Sequence, residues 1–502
     1  MKLRVKTIPF ETGFTTVVAI NNRDALRYDL HPGDRVIVET TRSPMRQCIA
    51  VVDITDGTTL RAGTLGLFTE VARELGVSTG DTVSVHPAPK PDSLHLIKQK
   101  MRGVRLQMRD FDCIVKDIVA GALTEVELTY FVCAAALNEL SLEETSYLTQ
   151  AIARNGSRYK TKKYPVADKH CIGGIPGNRT TLIVVPILAA CGLTIPKTSS
   201  RAITSPAGTA DTMEVLCNVS LTLPEMRKVM QRVGACITWG GAIGLAPADD
   251  KIIRIEKPLS LDVVGLMLSS VMAKKFSVSA THVLIDIPYG RTAKVTTKAR
   301  AEELRQHFLS IGKLLGMQLT VVLTDGRQPI GNGVGPVLEA RDTLQVLRGE
   351  PGAPRDLREK SLMLAGHLLE FVGHVPKGEG YTVAKDVLDT GKAWKKMQEI
   401  IAAQGAHAQP RLGRHSCVIR ATKGGRVREI DNKAIAKLAR MAGAPITKGA
   451  GIDLHKKVGA KVVPREPLYT AYADSREKLA QVKRYDRILA PYHITSSSTG
   501  KN

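Results

Sequence analysis

Positions 169–181 read Lys-His-Cys-Ile-Gly-Gly-Ile-Pro-Gly-Asn-Arg-Thr-Thr. A cation and an imidazole stand before a glycine-rich turn that opens onto a predicted helix. Glycines let backbone N–H groups approach an anion closely, and a helix N-terminus adds the positive end of its dipole. Lysine and hydroxyl donors add charge-assisted hydrogen bonds of roughly 1.5–3 kcal/mol each. The pattern suits the holding of a phosphate-sized anion; a tight structural turn with an incidental histidine is the competing reading. It is not a P-loop, because no Gly-Lys-Ser/Thr follows the glycines.

A second such segment follows about 30 residues on, Lys197-Thr198-Ser199-Ser200-Arg201 through Ala207-Gly208-Thr209-Ala210-Asp211. A run of hydroxyls and an arginine between an apolar strand and a helix would form another wall for an anion, where a solvated Ser/Thr loop is the plainer alternative. A third candidate is a helix expected over 259–276. On it Asp262, Ser270 and Lys274 fall at about 0°, 80° and 120°, a polar stripe on an apolar helix. The 331–335 run Gly-Asn-Gly-Val-Gly lacks the spacing of a dinucleotide fingerprint and reads as a structural turn.

The expected fold class is multidomain α/β. Residues 1–86 form a small β-rich, barrel-like domain with an internal echo: a short helix, a Gly-Asp turn (Gly33-Asp34, then Gly80-Asp81) and a Val-rich strand, twice. Residues 93–160 are helical, with capping boxes at Thr124/Glu127 and Ser141/Glu144, and pair with 250–277. The α/β core takes 163–249 plus 280–345, with buried strands at 283–287 and 319–324. Helices continue over 346–404, and 405–490 form a C-terminal α+β domain.

Of 502 residues, 43% are apolar and 24% charged, which fits a globular chain. No stretch is apolar enough to span a membrane, and Met1–Lys6 leads into no secretory signal. The eight scattered cysteines suggest reduced thiols and a cytoplasmic setting rather than a zinc site. Net charge is +23, and residues 405–502 hold 20 Lys and Arg against 7 Asp and Glu. Nucleic acid is nevertheless not expected as a partner: aromatics are 4% and no basic–aromatic interleaving appears. The surplus suits anionic small molecules.

The two loops resemble the signature of the thymidine and pyrimidine-nucleoside phosphorylases. The similarity continues through Trp239-Gly240-Gly241-Ala242, Pro247-Ala248-Asp249-Asp250, the 259–275 helix, Thr324-Asp325-Gly326-Arg327-Gln328-Pro329 and the 425–459 region, covering about 93–490. The N-terminal extension looks like the branch that holds the AMP phosphorylases and the longer "type 2" putative thymidine phosphorylases. Thr324-Asp325-Gly326 and Ser279-Ala280-Thr281-His282-Val283 look closer to the bacterial, thymidine-phosphorylase-named members.

That resemblance implies phosphorolysis. Inorganic phosphate displaces the base at the anomeric carbon through an oxocarbenium-like transition state. Thymidine and phosphate giving thymine and 2-deoxyribose 1-phosphate is the first expectation; AMP giving base and ribose 1,5-bisphosphate is the alternative. A phosphoribosyltransferase of the anthranilate type is more distant and would need a pyrophosphate–Mg²⁺ site. No metal or organic cofactor is expected, phosphate being a co-substrate, and a homodimer or larger assembly is. The resemblance puts phosphate on Lys169, Cys171, Thr181, Ser199 and Thr209, with Cys171 departing from the family's serine. It puts His170 near the base carbonyl and Arg254, Ser270 and Lys274 on the base edge, Arg254 after a one-residue gap. In the nucleotide branch the matching positions are Gly174, Ser200, Arg201, Ala202, Ile203, Thr204, Ser205, Thr209, Ser270 and Lys294, with Asp262 as proton donor. His170 and Asp262 therefore stand as two candidate acids. The family fold hinges a helical domain, split in sequence, against the α/β domain, so that closure excludes water.

Overall fold

The computed structural model describes residues 1–13, 16–202, 205–259, 261–408 and 410–495. The chain divides into two compact units, Met1–Asn155 with Pro247–Ser269, and Gly156–Ala246 with the chain from Ser270 onward.

In the first unit, strands β1 (Lys2–Ile8), β2 (Val17–Asn21), β3 (Arg35–Thr40), β4 (Gln47–Thr55), β5 (Thr64–Phe68) and β6 (Thr82–Pro87) close a barrel in the order β1-β5-β2-β4-β3-β6. The repeated sequence becomes a repeated device. Helix Asn22–Arg27 leads to β3 and helix Thr69–Leu75 to β6. In each Gly-Asp turn the carboxylate accepts from the N–H three residues earlier, Asp34 from His31 at 2.7 Å and Asp81 from Ser78 at 2.8 Å. Alternating valines then fill the barrel, with Val36, Val38, Val83 and Val85 buried.

The barrel rests on helices Ser93–Met101, Met108–Ala120, Glu125–Leu137 and Leu142–Arg154. Both expected capping boxes form, each contributing about 1 kcal/mol. Glu144 does double duty: besides capping, it accepts two 2.8 Å bonds from the buried Lys100 Nζ. Removing either partner would leave a buried charge unpaired, about 3–5 kcal/mol. Arg35 of β3 fastens barrel to bundle by donating to Ala122 O at 2.8 Å and to both Glu127 oxygens.

One expectation fails here. Helices run over Pro247–Leu259 and Val264–Ser277, and residues 261–263 are neither helix nor strand. Asp262 is therefore not on the helix that carries Ser270 and Lys274, and the stripe drawn through all three does not exist. Pro258 lies in the last turn of the first helix, where it supplies no backbone N–H to the helix ladder.

The second unit is built on parallel strands β7 (Ala167–Cys171), β8 (Ile195–Ser199), β9 (Ala235–Trp239), β10 (His282–Tyr289) and β11 (Gln318–Asp325). The orders are β11-β10-β7 and β8-β9, joined where Ala167 N donates to Thr194 O at 2.9 Å. Helix Thr181–Ala190 carries no charge because every turn of it is buried in the main apolar core. Helices Pro336–Arg348, Arg355–Phe371, Gly380–Asp389 and Lys392–Gln404 surround it, and the Gly331–Gly335 run, expected as a turn, bends into a two-residue strand at Gly333–Val334, its Asn332 and Gly333 N–H groups donating to Asp342 at 2.6 Å each. Two antiparallel sheets end the chain, combining β12 (Gly333–Val334), β13 (His415–Arg420), β14 (Gly425–Ile430), β15 (Gly451–Leu454), β16 (Lys461–Val462), β17 (Pro467–Ala473) and β18 (Tyr492–Thr495) in the orders β12-β15-β17-β13 and β16-β14-β18. Among the described residues no helix is long and apolar enough to cross a membrane.

Candidate active site

Strand β7 delivers Asp168, Lys169, His170 and Cys171 to the mouth of the first loop, residues 172–180. Lys169 is 1% exposed. Its Nζ donates to Thr180 Oγ1 at 2.8 Å and lies 3.9 Å from Asp286 Oδ2 on the neighbouring β10. Asp286 also faces Lys360 Nζ at 3.0 Å and accepts from Thr324 Oγ1 at 2.6 Å. Burial alone would raise Asp286, but Lys360 and Lys169, with the Thr324 hydroxyl, outweigh it and hold the carboxyl below its usual value. Burial lowers Lys169 from the ordinary ammonium value, Asp286 opposing.

A second knot of the same composition sits one residue earlier. Asp168 meets Lys275 Nζ at 2.8 Å and Lys197 Nζ at 3.4 Å, all three buried. Burial, against Asp168 and with Lys275 adding its repulsion, brings Lys197 down to about 7. Arg179 ion-pairs with the buried Glu339. Together these buried groups are four lysines and an arginine against two aspartates and a glutamate. With every group charged the surplus is two cations, which is costly unless an anion joins them or Lys197, at about 7, gives up its proton.

His170 lies among these lysines. Burial, then Lys275, Lys197, Lys274 and Lys169, holds its pKa well below the ordinary 6.5. As one of the two candidate acids His170 would have to carry a proton that this setting disfavours: folding surrounds the ring with cations brought from other strands and from the helix Val264–Ser277. Burial pushes the Cys171 thiol up to about 11. It accepts from Asn178 Nδ2 at 3.2 Å.

The first loop needs its glycines. Gly174 has φ +89°, and a Cβ there would lie 2.5 Å from Lys294 N, so loop and Lys294 backbone pack directly together. Thr181 opens the following helix and is buried, while the hydroxyl that reaches Lys169 belongs to Thr180.

The second loop, after β8, is held differently. Asp211 Oδ2 accepts from Ala202 N at 2.7 Å and Gly208 N at 2.8 Å. A Cβ on Gly208 would come 2.6 Å from Ser200 O, folding 200–202 onto 208. Arg201 is already engaged, donating to Glu214 at 2.8 and 2.6 Å and to Asp211 at 3.2 Å, with its guanidinium 4.7 Å from the Trp239 ring centre. Those bonds, aided by Lys448, bring Glu214 down to about 2. Ser199 Oγ donates to Thr238 O at 3.1 Å and Ser205 Oγ to Ala207 O at 2.9 Å; Thr209 starts the short helix Thr209–Met213. Ile203 and Thr204 lie outside the described residues. The two loops meet where Arg179 of the first donates to Ala207 O of the second.

Ser270 and Lys274 lie one turn apart on one helix, with Lys274 Nζ donating to Ser270 Oγ at 3.4 Å. Arg254 and Asp262 belong to the first compact unit. Sequence reasoning missed Lys197, Lys275, Lys360, Asp168, Asp286 and Thr180. Only Lys197 and Thr180 stood inside quoted motifs, whereas Lys360 reaches the site from a helix nearly 200 residues downstream.

Comparison with known proteins decides the family. Residues 163–394 match the glycosyl transferase family a/b domain, 94–156 its helical bundle domain, and 426–491 the pyrimidine nucleoside phosphorylase C-terminal domain. An AMP phosphorylase of Pyrococcus furiosus is 44% identical, with 98% of each chain covered. Putative thymidine phosphorylase 1 of an Acidovorax species is 46% identical, covering 86% of this chain and 85% of its own. The chain belongs to the nucleoside phosphorylase family. It is thus an enzyme, a pentosyltransferase that uses phosphate. The fold of this family extends to anthranilate phosphoribosyltransferase of Thermus thermophilus, similar at a TM-score of 0.52 and 18% identity over 61% of this chain and 98% of that one.

Proposed function

We propose that the enzyme phosphorolyses a nucleoside 5′-monophosphate, AMP first, releasing the base and ribose 1,5-bisphosphate. The observation that carries phosphorolysis is the buried surplus of cations beside the first loop, centred on Lys169 and Lys360. A phosphate dianion matches that surplus in sign and size. A phosphate oxygen forms the bond to C1′ as the C1′–N bond breaks, and the departing base nitrogen takes a proton. Lys169, the Thr180 and Thr181 hydroxyls, Ser199 and Thr209 hold phosphate in this scheme, while Gly174, the 200–205 loop, Ser270 and Lys294 take the nucleotide. Arg201, spent on Glu214 and Asp211, shapes that loop rather than gripping a ligand. A neutral His170 donates a hydrogen bond to the base, which leaves Asp262 as the proton donor and Arg254 and Lys274 as base contacts.

AMP ranks ahead of thymidine because relatives named AMP phosphorylase align over 98% of both chains, N-terminal barrel included. Thymidine is kept as the second reading by the 46% identity to putative thymidine phosphorylases. Phosphate-dependent base release from AMP, CMP, uridine and thymidine separates them. Turnover of AMP with thymidine inert is expected; the reverse pattern overturns the ranking.

A further inference from the structure

Arg179 stands in the first glycine loop, 8% exposed, yet takes no part in the chemistry just described. Its Nη1 donates to Asn178 O at 2.9 Å within its own loop, and its Nη2 donates to Ala207 O of the second loop. Its Nε donates to Thr212 Oγ1 at 3.1 Å and pairs with Glu339. Glu339 is buried on helix Pro336–Arg348 and accepts from Thr212 Oγ1 at 3.0 Å and Gly335 N at 3.2 Å. Thr212 Oγ1 also lies 3.2 Å from Gly208 O, where the second loop ends, and its single proton serves either Glu339 or that carbonyl. One guanidinium therefore bonds the main chain of both loops, while a carboxylate from a third element fixes its orientation.

We propose that Arg179 is a positioning residue that sets the second anion loop against the first, so that both present their donors to one phosphate. This rests on the proposed reading of the loops as a phosphate site. The planar fork is what the task needs: it points separate N–H groups at Asn178, Ala207 and Thr212 at once, which a lysine cannot do. Misplacing either loop by even an ångström would spoil donors that must converge on one anion.

The test pairs stability with phosphate affinity. Calorimetric titration of inorganic phosphate and thermal melts are compared for wild type, Arg179→Lys, Arg179→Met and the double variant Arg179→Met/Glu339→Leu. Arg179→Met strands a buried carboxylate, so it should lower the melting temperature and raise the phosphate Kd by about tenfold or more. The double variant removes that stranded charge and should recover most of the melting temperature but not the affinity. Arg179→Lys, which still neutralises Glu339, should melt closest to wild type yet bind phosphate as weakly as the double variant. Return of wild-type phosphate Kd in either of these two makes Arg179 a stability residue only and overturns the proposal. Should the single Met variant fail to fold, the Lys and double variants still decide. A wild-type enzyme that binds no phosphate overturns the loop reading itself, a result distinct from normal binding that survives loss of Arg179.

Discussion

The two glycine- and hydroxyl-rich loops of the second unit look alike as sequence, each with a basic residue at its mouth. The first is electropositive: Lys169, buried at its mouth, and Lys360 share a single aspartate, Asp286. The second is organised by acids, with Asp211 clasping its backbone and Glu214 occupying Arg201. Similar loop chemistry therefore serves two ends. One loop is poised to take up negative charge, and the other is folded by negative charge already present, so that it can offer neutral hydroxyls and backbone N–H groups.

This difference is open to attack at several points. Lys169→Ala should have the largest effect, a fall in kcat/KM for phosphorolysis of about 10³-fold, because it removes a cation at the developing transition-state charge. A variant within tenfold of wild type would remove the first loop from the chemistry. Asp286→Asn comes next. It leaves Lys169 and Lys360 mutually repelling, so phosphate KM should change by about tenfold with the melting temperature lowered in phosphate-free buffer and largely restored by saturating phosphate. An unresponsive melting curve would mean that the surplus charge is not awaiting an anion.

His170 gives a pH signature. The unfolded chain takes up a proton at this residue near 6.5, whereas the folded chain, with the ring buried among lysines, does not until well below that. Stability is therefore full above about 6.5 and falls as pH drops below it, and His170→Asn should flatten that slope. The slope persisting unchanged in the variant would assign it elsewhere. Arg201→Ala should have the smallest effect, less than about tenfold on kcat/KM. Glu214, held near 2 by Arg201 and Lys448, contributes stability that is present above its usual 4.5 and lost as pH falls toward 2. Arg201→Ala should shrink that acid-side loss, and a larger kinetic than thermal effect would make Arg201 a ligand contact after all.

Much of this was legible along the chain because it is local. Capping boxes need residues three apart, and the barrel's echo repeats within about 50 positions. The glycine loops announce themselves because only glycine tolerates the φ at Gly174 and the close approach at Gly208. Charge pairing was not legible. Asp286 and Lys360 meet Lys169 only because parallel strands β7 and β10 lie side by side and a later helix packs over them, contacts that no spacing encodes. The depressed His170 follows from the same long-range pairing, whereas Arg201 is engaged by Asp211 and Glu214 only 10 and 13 residues on. Asp262 was misplaced for a different reason: apolar periodicity carried the predicted helix across a break that the proline at 258 signals.

The central claim, that the first loop and its buried lysines receive inorganic phosphate, is tested most directly by titrating phosphate into wild type and Lys169→Ala in a calorimeter. Saturable binding of phosphate by wild type, lost in the variant while its melting temperature stays within a few degrees, is the predicted result. Equal binding by both proteins, or none by wild type, would contradict it.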